Sequence, residues 1–110
     1  MASQTKTVVF TDLANYTAST ARANRNELRQ LVEDHERHTI EIFEPYGGEI
    51  IKNIGDAYLA LFNSATDALK ACMQLVESSI SFGNTEMRFR ASAATGDIEL
   101  ISGDCFGEAV

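Results

Sequence analysis

"GGEIIKNIGDAYLALF", residues 47–62, is the stretch on which the fold turns. Two short apolar runs, "EIIKNI" and "AYLALF", meet around Gly55-Asp56. Glycine beside aspartate between two such runs is hairpin chemistry. The same stretch carries Lys52 and Asp56 four positions apart among apolar residues. On position alone, Lys52 is a solvated lysine on an exposed strand face and Asp56 is a turn residue.

Working outward, "TKTVVFTDL" (5–13) is a β-branched and aromatic run, which predicts a buried strand ending near Asp12. "ANYTASTARA" follows with the small polar residues of a helix start. From Asn24 onward Leu28, Leu31, Val32, His35, Thr39, Ile42 and Phe43 recur at three- and four-residue spacing, which predicts a long amphipathic helix stopped by Pro45 and Gly47-Gly48. Beyond the hairpin, Ser64 with Asp67 three residues on predicts a cap for a second helix, whose apolar face is Ala65, Ala68, Leu69, Cys72, Leu75, Val76 and Ile80. "EMRFRASAATG" sets Met87, Phe89, Ala91 and Ala93 against Arg88, Arg90 and Ser92 with strand periodicity. A shorter run, "IELI", leads to a turn at Gly103-Asp104, and "GDCFGEAV" reads as the opening of a new helix.

Strand, helices, hairpin, helix and strand in that order predict an α+β fold. The expected form is a mixed, antiparallel-containing sheet of the ferredoxin-like or palm type with helices packed on it. Residues 1–110 are expected to form the N-terminal part of one domain whose C-terminal part is missing. A formal charge of −7 argues against a general nucleic-acid binder and favours ligands that arrive with divalent cations. Cys72 and Cys105, with no CxxC spacing, suggest neither a disulfide framework nor a zinc site. The sequence offers no membrane-length apolar run and no signal peptide. We therefore expect a cytoplasmic segment with no membrane contact of its own, whether or not a longer parent is tethered.

Asp12 ends the first strand and Asp56 sits at the hairpin tip. If those strands are neighbours, two carboxylates share one sheet edge, and a hard divalent cation relieves their repulsion. The alternative is that both are ordinary turn residues. "LANYT" places the backbone N–H groups of Asn15, Tyr16 and Thr17 at a strand-to-helix junction, which favours phosphate, although no glycine-rich loop is present. His35 and His38 lie three apart in "EDHERHTI", which reads as a helix edge without zinc-ligand spacing. Arg88 and Arg90 read as the polar face of their strand.

"VVFTDLANYT", "GGEIIKNIGDAYLALF" and "TGDIELISGDCFGEAV" together resemble the catalytic domain of the class III nucleotidyl cyclases, in order and over nearly the whole chain. The resemblance implies a homodimer or pseudo-dimer with active sites at the interface between chains. It implies that Asp12 and Asp56, helped by the Leu13 carbonyl, hold two divalent cations, Mg2+ or Mn2+. These would activate the ribose 3′-hydroxyl for in-line attack on the α-phosphorus, releasing pyrophosphate. It places Lys52 and Asp104 at the base-reading positions. Adenine offers an acceptor at N1 and a donor at its 6-amino group, so a lysine donor with an aspartate acceptor fits ATP. Guanylate cyclases commonly carry glutamate at the first of these positions.

The resemblance further implies an asparagine and an arginine beyond Val110 that orient ribose and phosphate, so a chain ending there should have little activity. Other readings are a non-catalytic regulatory or dimerisation module on the same fold, or a guanylate cyclase. A diguanylate cyclase is suggested only by "YGGEI", and the residues that follow do not continue that family's signature.

Overall fold

The computed structural model describes residues 4–54, 56–101 and 104–107, with side chains described up to residue 99. The elements are β1 (Gln4–Leu13), α1 (Tyr16–Thr20), α2 (Arg25–Phe43), β2 (Glu49–Ile54), β3 (Ala57–Phe62), α3 (Ala65–Glu77), β4 (Ser79–Phe82), β5 (Thr85–Ile101) and β6 (Asp104–Gly107). One sheet runs β2-β3-β1-β5-β4 with β6 added to β5, and each of these pairings is antiparallel. The expected α+β sheet with helices packed on it is what forms.

β1 is central and buried on both faces, with Val8 and Val9 each 0% exposed, which is why its "VVF" run is continuously apolar rather than alternating. Val9 and Leu13 join Leu31 and Phe43 of α2 and Ala71 and Leu75 of α3 in the main core. Val8 points the other way and joins Leu59, Leu61 and Ile98 in a second cluster made of strand residues. The sheet therefore has a face covered by helices and a second face that carries no helix among the described residues, the open face, although its centre at Val8, Leu59, Leu61 and Ile98 is buried. Along β1 the odd-numbered residues 7–13 look toward the helices, and Phe10 and Asp12 look toward the open face.

The helix limits follow their local chemistry. Asn24 and Glu27 form a reciprocal capping box at the start of α2, with Glu27 N donating to Asn24 Oδ1 at 2.8 Å and Asn24 N to Glu27 Oε1 at 3.1 Å. Ser64 Oγ accepts from Asp67 N at 3.1 Å, the cap expected for α3. After α2, Pro45 sits in a single 3-10 turn, and Gly47 takes the left-handed conformation (φ 79°) that favours glycine. Gly48 has a different constraint. A Cβ there would lie 2.5 Å from Phe62 Cζ and 3.0 Å from Phe43 Cβ, inside the edge-on Phe43–Phe62 contact. Gly48→Ala is therefore expected to destabilise the protein by about 1–3 kcal/mol through overpacking, read as a lower urea midpoint at unchanged slope.

Three local readings are corrected. Ile80 belongs to strand β4, not to the second helix, because α3 ends at Glu77 with Ser78 as its C-cap. Ser78 adopts an extended backbone and gives both its N–H and its hydroxyl to Leu75 O. "RASAATG" and "IELI" are one strand, because β1 pairs with β5 without interruption from Leu13–Phe89 to Gln4–Ile98 and overrides the weak strand propensity of the small residues. Asp104–Gly107 is a strand rather than a helix opening, because it pairs antiparallel with residues 98–101 at the end of β5. Residue 103 of the expected turn, and residues 108–110, lie outside the described residues.

Candidate functional site

The β1–β5 ladder sets Asp12 directly opposite Arg90 on the open face. Arg90 Nε donates to Asp12 Oδ1 at 2.9 Å and Nη2 donates to Oδ2 at 3.2 Å. The Asp12 side chain is 35% exposed and that of Arg90 67%. A two-pronged pair in that much solvent adds little to stability, but it fixes how the carboxylate is presented. Asp56 stands in the turn that precedes β3. Thr11 pairs with Tyr58 and Ile54 with Ala57, so this turn lies at the end of the sheet where β1 finishes. Asp12 and Asp56 act on the same two side chains. The hydrogen bond and charge of Asp12, with the charge of Asp56 adding, raise the pKa of Arg90 above its usual value. Both carboxylates also act on the imidazole of His35. The register thus sets two acidic residues that lie 44 positions apart in the chain at the same end of the sheet.

An open pocket beside them is lined by Phe10, Asp12, Ala57, Arg90 and Ser92. Among the described residues no group of three or more His, Cys, Asp or Glu is placed to hold a metal by itself. Carboxylates at a solvent-facing edge fit Mg2+ or Mn2+, hard cations that take oxygen donors and fill their shells with water and substrate phosphates. The residues present fit such ions, with the Leu13 carbonyl next along β1.

Lys52 reaches the open face by a device that the sequence does not announce. Ile50 pairs with Ala60 on the helix face, and the next register pair is Lys52 with Leu59 on the open face. The irregularity at Ile51 is a β-bulge. Without it, simple alternation would turn Lys52 toward the helices, because a one-residue slip exchanges the two faces. Lys52 is partly buried and engaged with its surroundings. It lies two strands from β1 and level with Phe10, two residues before Asp12. Strand spacing and rise then separate it from Asp12 by about 12 Å. The β6 backbone, which carries Asp104, comes back to within 8 Å Cα–Cα of β2.

Asn15, Tyr16 and Thr17 follow Leu13 directly. Asn15 takes the left-handed conformation (φ 59°) and opens the short helix α1, and Tyr16 packs partly against the main core. Ala14 N is held by Arg88 O at 2.8 Å, so the junction is fixed to β5.

His35 is not at a helix edge. It is 2% exposed, edge-on to Tyr58 at 4.6 Å between ring centroids and tilted on Phe89 at 5.3 Å. Burial lowers its pKa to about 4, with Asp56 and then Asp12 opposing that shift and His38 adding to it. His38 is half-buried and stacked on Phe89. Its Nε2 lies 2.7 Å from Ser78 Oγ, and because that hydroxyl donates to Leu75 O, Nε2 is the donor.

The His35 value has a pH consequence. An unfolded chain binds a proton near the usual pKa of 6.5, and the folded chain resists it down to about 4. This contribution is complete above pH 6.5 and is lost as pH falls toward 4, amounting to roughly 3 kcal/mol. Denaturant melts of the cation-free protein should show that loss, and His35→Phe should flatten it in this window.

Arg90 and His35 are the residues that sequence reading missed. The i+4 relation of His35 to Leu31 and Thr39, on the apolar stripe, is the signal that places it inside.

The adenylate and guanylate cyclase catalytic domain family model matches residues 2–101. The chain is 32% identical over 103 residues to an adenylate cyclase of Streptomyces coelicolor, covering 94% of this chain and 27% of that relative. Among solved structures, it superposes with a TM-score of 0.82 and 17% identity on a dimeric form of the guanylyl cyclase domain of the RhoGC fusion protein from Blastocladiella emersonii, covering 98% of this chain and 71% of that one. It also superposes with a TM-score of 0.76 and 24% identity on an adenylate/guanylate cyclase/hydrolase from Silicibacter pomeroyi, covering 98% of this chain and 66% of that one. The chain spans about a quarter of the curated relative's length and about two thirds of each of these solved chains.

Proposed function

Because the chain belongs to the adenylate and guanylate cyclase catalytic-domain family, we propose that it is the catalytic domain of an adenylate cyclase that turns ATP into 3′,5′-cyclic AMP and pyrophosphate. The observation that carries this reading is the pair of carboxylates, Asp12 and Asp56, set at one end of the sheet on either side of a strand junction. When bound there, two divalent cations supply an acidified ribose 3′-hydroxyl and charge neutralisation on the triphosphate. The chain's own residues do the rest. Asp12 and Asp56 present the oxygens, with the Leu13 carbonyl beside them. Arg90 holds Asp12 in a fixed orientation and directs a cationic guanidinium into the pocket where a polyphosphate would lie. The backbone N–H groups of Asn15, Tyr16 and Thr17 offer further donors. In the reaction the 3′-oxygen forms a bond to the α-phosphorus, the bond from α-phosphorus to the pyrophosphate oxygen breaks, and the hydroxyl proton leaves to solvent.

Lys52 and Asp104 read the base, lysine donating to adenine N1 and aspartate accepting from the 6-amino group. The approach of β6 to β2 supports this pairing within one chain. With Lys52 about 12 Å from Asp12, one hairpin serves two sites in a homodimer, Asp56 for one and Lys52 for the other. The B. emersonii domain has been crystallised in both dimeric and monomeric forms. Among the described residues no helix is long and apolar enough to cross a membrane, and we assign the reaction to the cytoplasm, where ATP is, with cyclic AMP serving as a signal.

The test is to give the full-length protein ATP or GTP with manganese and quantify both cyclic products. Cyclic AMP in excess supports the assignment. Cyclic GMP in excess overturns the base reading, and neither product would make the domain a non-catalytic module.

A further inference from the structure

Among the described residues, three buried polar atoms on the helix face have no hydrogen-bond partner: Thr11 Oγ1, His35 Nε2 and Thr39 Oγ1. Their residues are 1%, 2% and 0% exposed. Leaving even one such group unpaired in an apolar interior is unfavourable, and natural folds place a partner there. Strand register and ring contacts place the three along one stretch of the interface between α2 and β1. His35 touches Tyr58 on β3 and Phe89 on β5, the strands that flank β1. A ring that touches both lies across β1, at the level of Thr11, which pairs with Tyr58, and of Leu13, which pairs with Phe89. Further along α2, Phe43 touches Phe62, which pairs with Thr7. The helix therefore descends β1 from the level of Leu13 to that of Thr7. Thr39, one turn beyond His35 on the same side, leaves Thr11 between the two.

We infer that Thr11, His35 and Thr39 bind one buried water between α2 and β1, and that this unit is a positioning device for Asp12, which projects from the opposite face of β1 between Thr11 and Leu13. Three polar partners are the usual complement of a buried water. Neutral imidazole suits the role, since it can both donate and accept, and its burial among Tyr58, Phe89 and His38 disfavours the charged form. A leucine or phenylalanine would fill the space without any need for a partner, yet a histidine stands there. The water ties the helix to the end of β1, so the backbone that carries Asp12 and the Leu13 carbonyl keeps its distance from α2. The role assigned to Asp12 rests on the cyclase reading, but the water does not.

One set of variants separates these claims: Thr11→Val, Thr39→Val, His35→Phe and His35→Gln, with the Thr11→Val/His35→Phe double, all in the full-length protein. The first readout is a double-mutant cycle on denaturant stability. Loss of either partner should leave the other with little more to lose, so the double variant should be far less destabilised than the sum of the singles. Strict additivity overturns the shared water. The second readout is manganese affinity, followed by the electron paramagnetic resonance of free Mn2+. His35→Phe is expected to weaken binding about tenfold, the lower range for residues that orient a metal ligand from outside. His35→Gln, whose amide keeps a donor and an acceptor, should recover most of it. Unchanged affinity in His35→Phe beside a non-additive cycle leaves the water and overturns its positioning role. A wild-type protein that binds no manganese counts against the cyclase reading, and the stability cycle still decides the water.

Discussion

On the proposed reading, Asp12→Ala and Asp56→Ala should each lower cyclic nucleotide formation on the order of 10³-fold, because each removes one of the two carboxylates assigned to the cations. The losses should appear in kcat at saturating manganese and should not add in the double variant, since either change dismantles one shared site. The fold should hardly notice. Among the described residues Asp12 is paired with the solvent-exposed Arg90, and Asp56 sits in a turn, so melting temperatures should stay close to wild type. Activity retained in either variant would remove that aspartate from the machinery. Activity lost together with the cooperative melt would point to a structural role instead.

The second large effect concerns the base. On the proposed reading, Lys52→Glu with Asp104→Cys replaces the donor assigned to adenine N1 with an acceptor and removes the acceptor assigned to its 6-amino group. The ratio of kcat/KM for ATP to that for GTP should fall by about 10² or more, because a site built to hydrogen-bond one pattern leaves buried polar groups unpaired against the other. The bulge at Ile51 is why this test is specific to the open face. It turns Lys52 away from the helix core, so glutamate at that position meets the ligand side rather than the hydrophobic interior. An unchanged ratio would remove Lys52 and Asp104 from base reading.

Much of this arrangement is legible in the sequence, for identifiable reasons. The β1 run, the capped start of α3, the Pro45 and Gly47 stop and the hairpin around Asp56 are local signals, each written within a few residues and each realised. Asp12 and Asp56 read by position as ordinary turn residues, and the motifs around them, through their resemblance to the cyclases, single them out. What was not legible depends on partners distant in sequence. The length of β5 is set by β1, not by its own alanines and glycine. β4 looks like a continuation of α3, since Ile80 keeps the four-residue spacing from Val76. Arg90 reads as surface decoration until the ladder sets it opposite a residue 78 positions away. His35 is polar by type and interior by position, and only the rings of Tyr58 and Phe89 closing over it show which description governs.

The most direct test of the central claim is manganese binding measured in the presence of a non-cyclisable ATP analogue. Wild-type protein should take up two manganese ions per site with the nucleotide, and Asp12→Asn and Asp56→Asn should each weaken that uptake severely while the fold persists. Binding of equal strength in wild type and in both variants would show that these two side chains do not hold the cations, and the proposed active site would have to be sought elsewhere on the sheet.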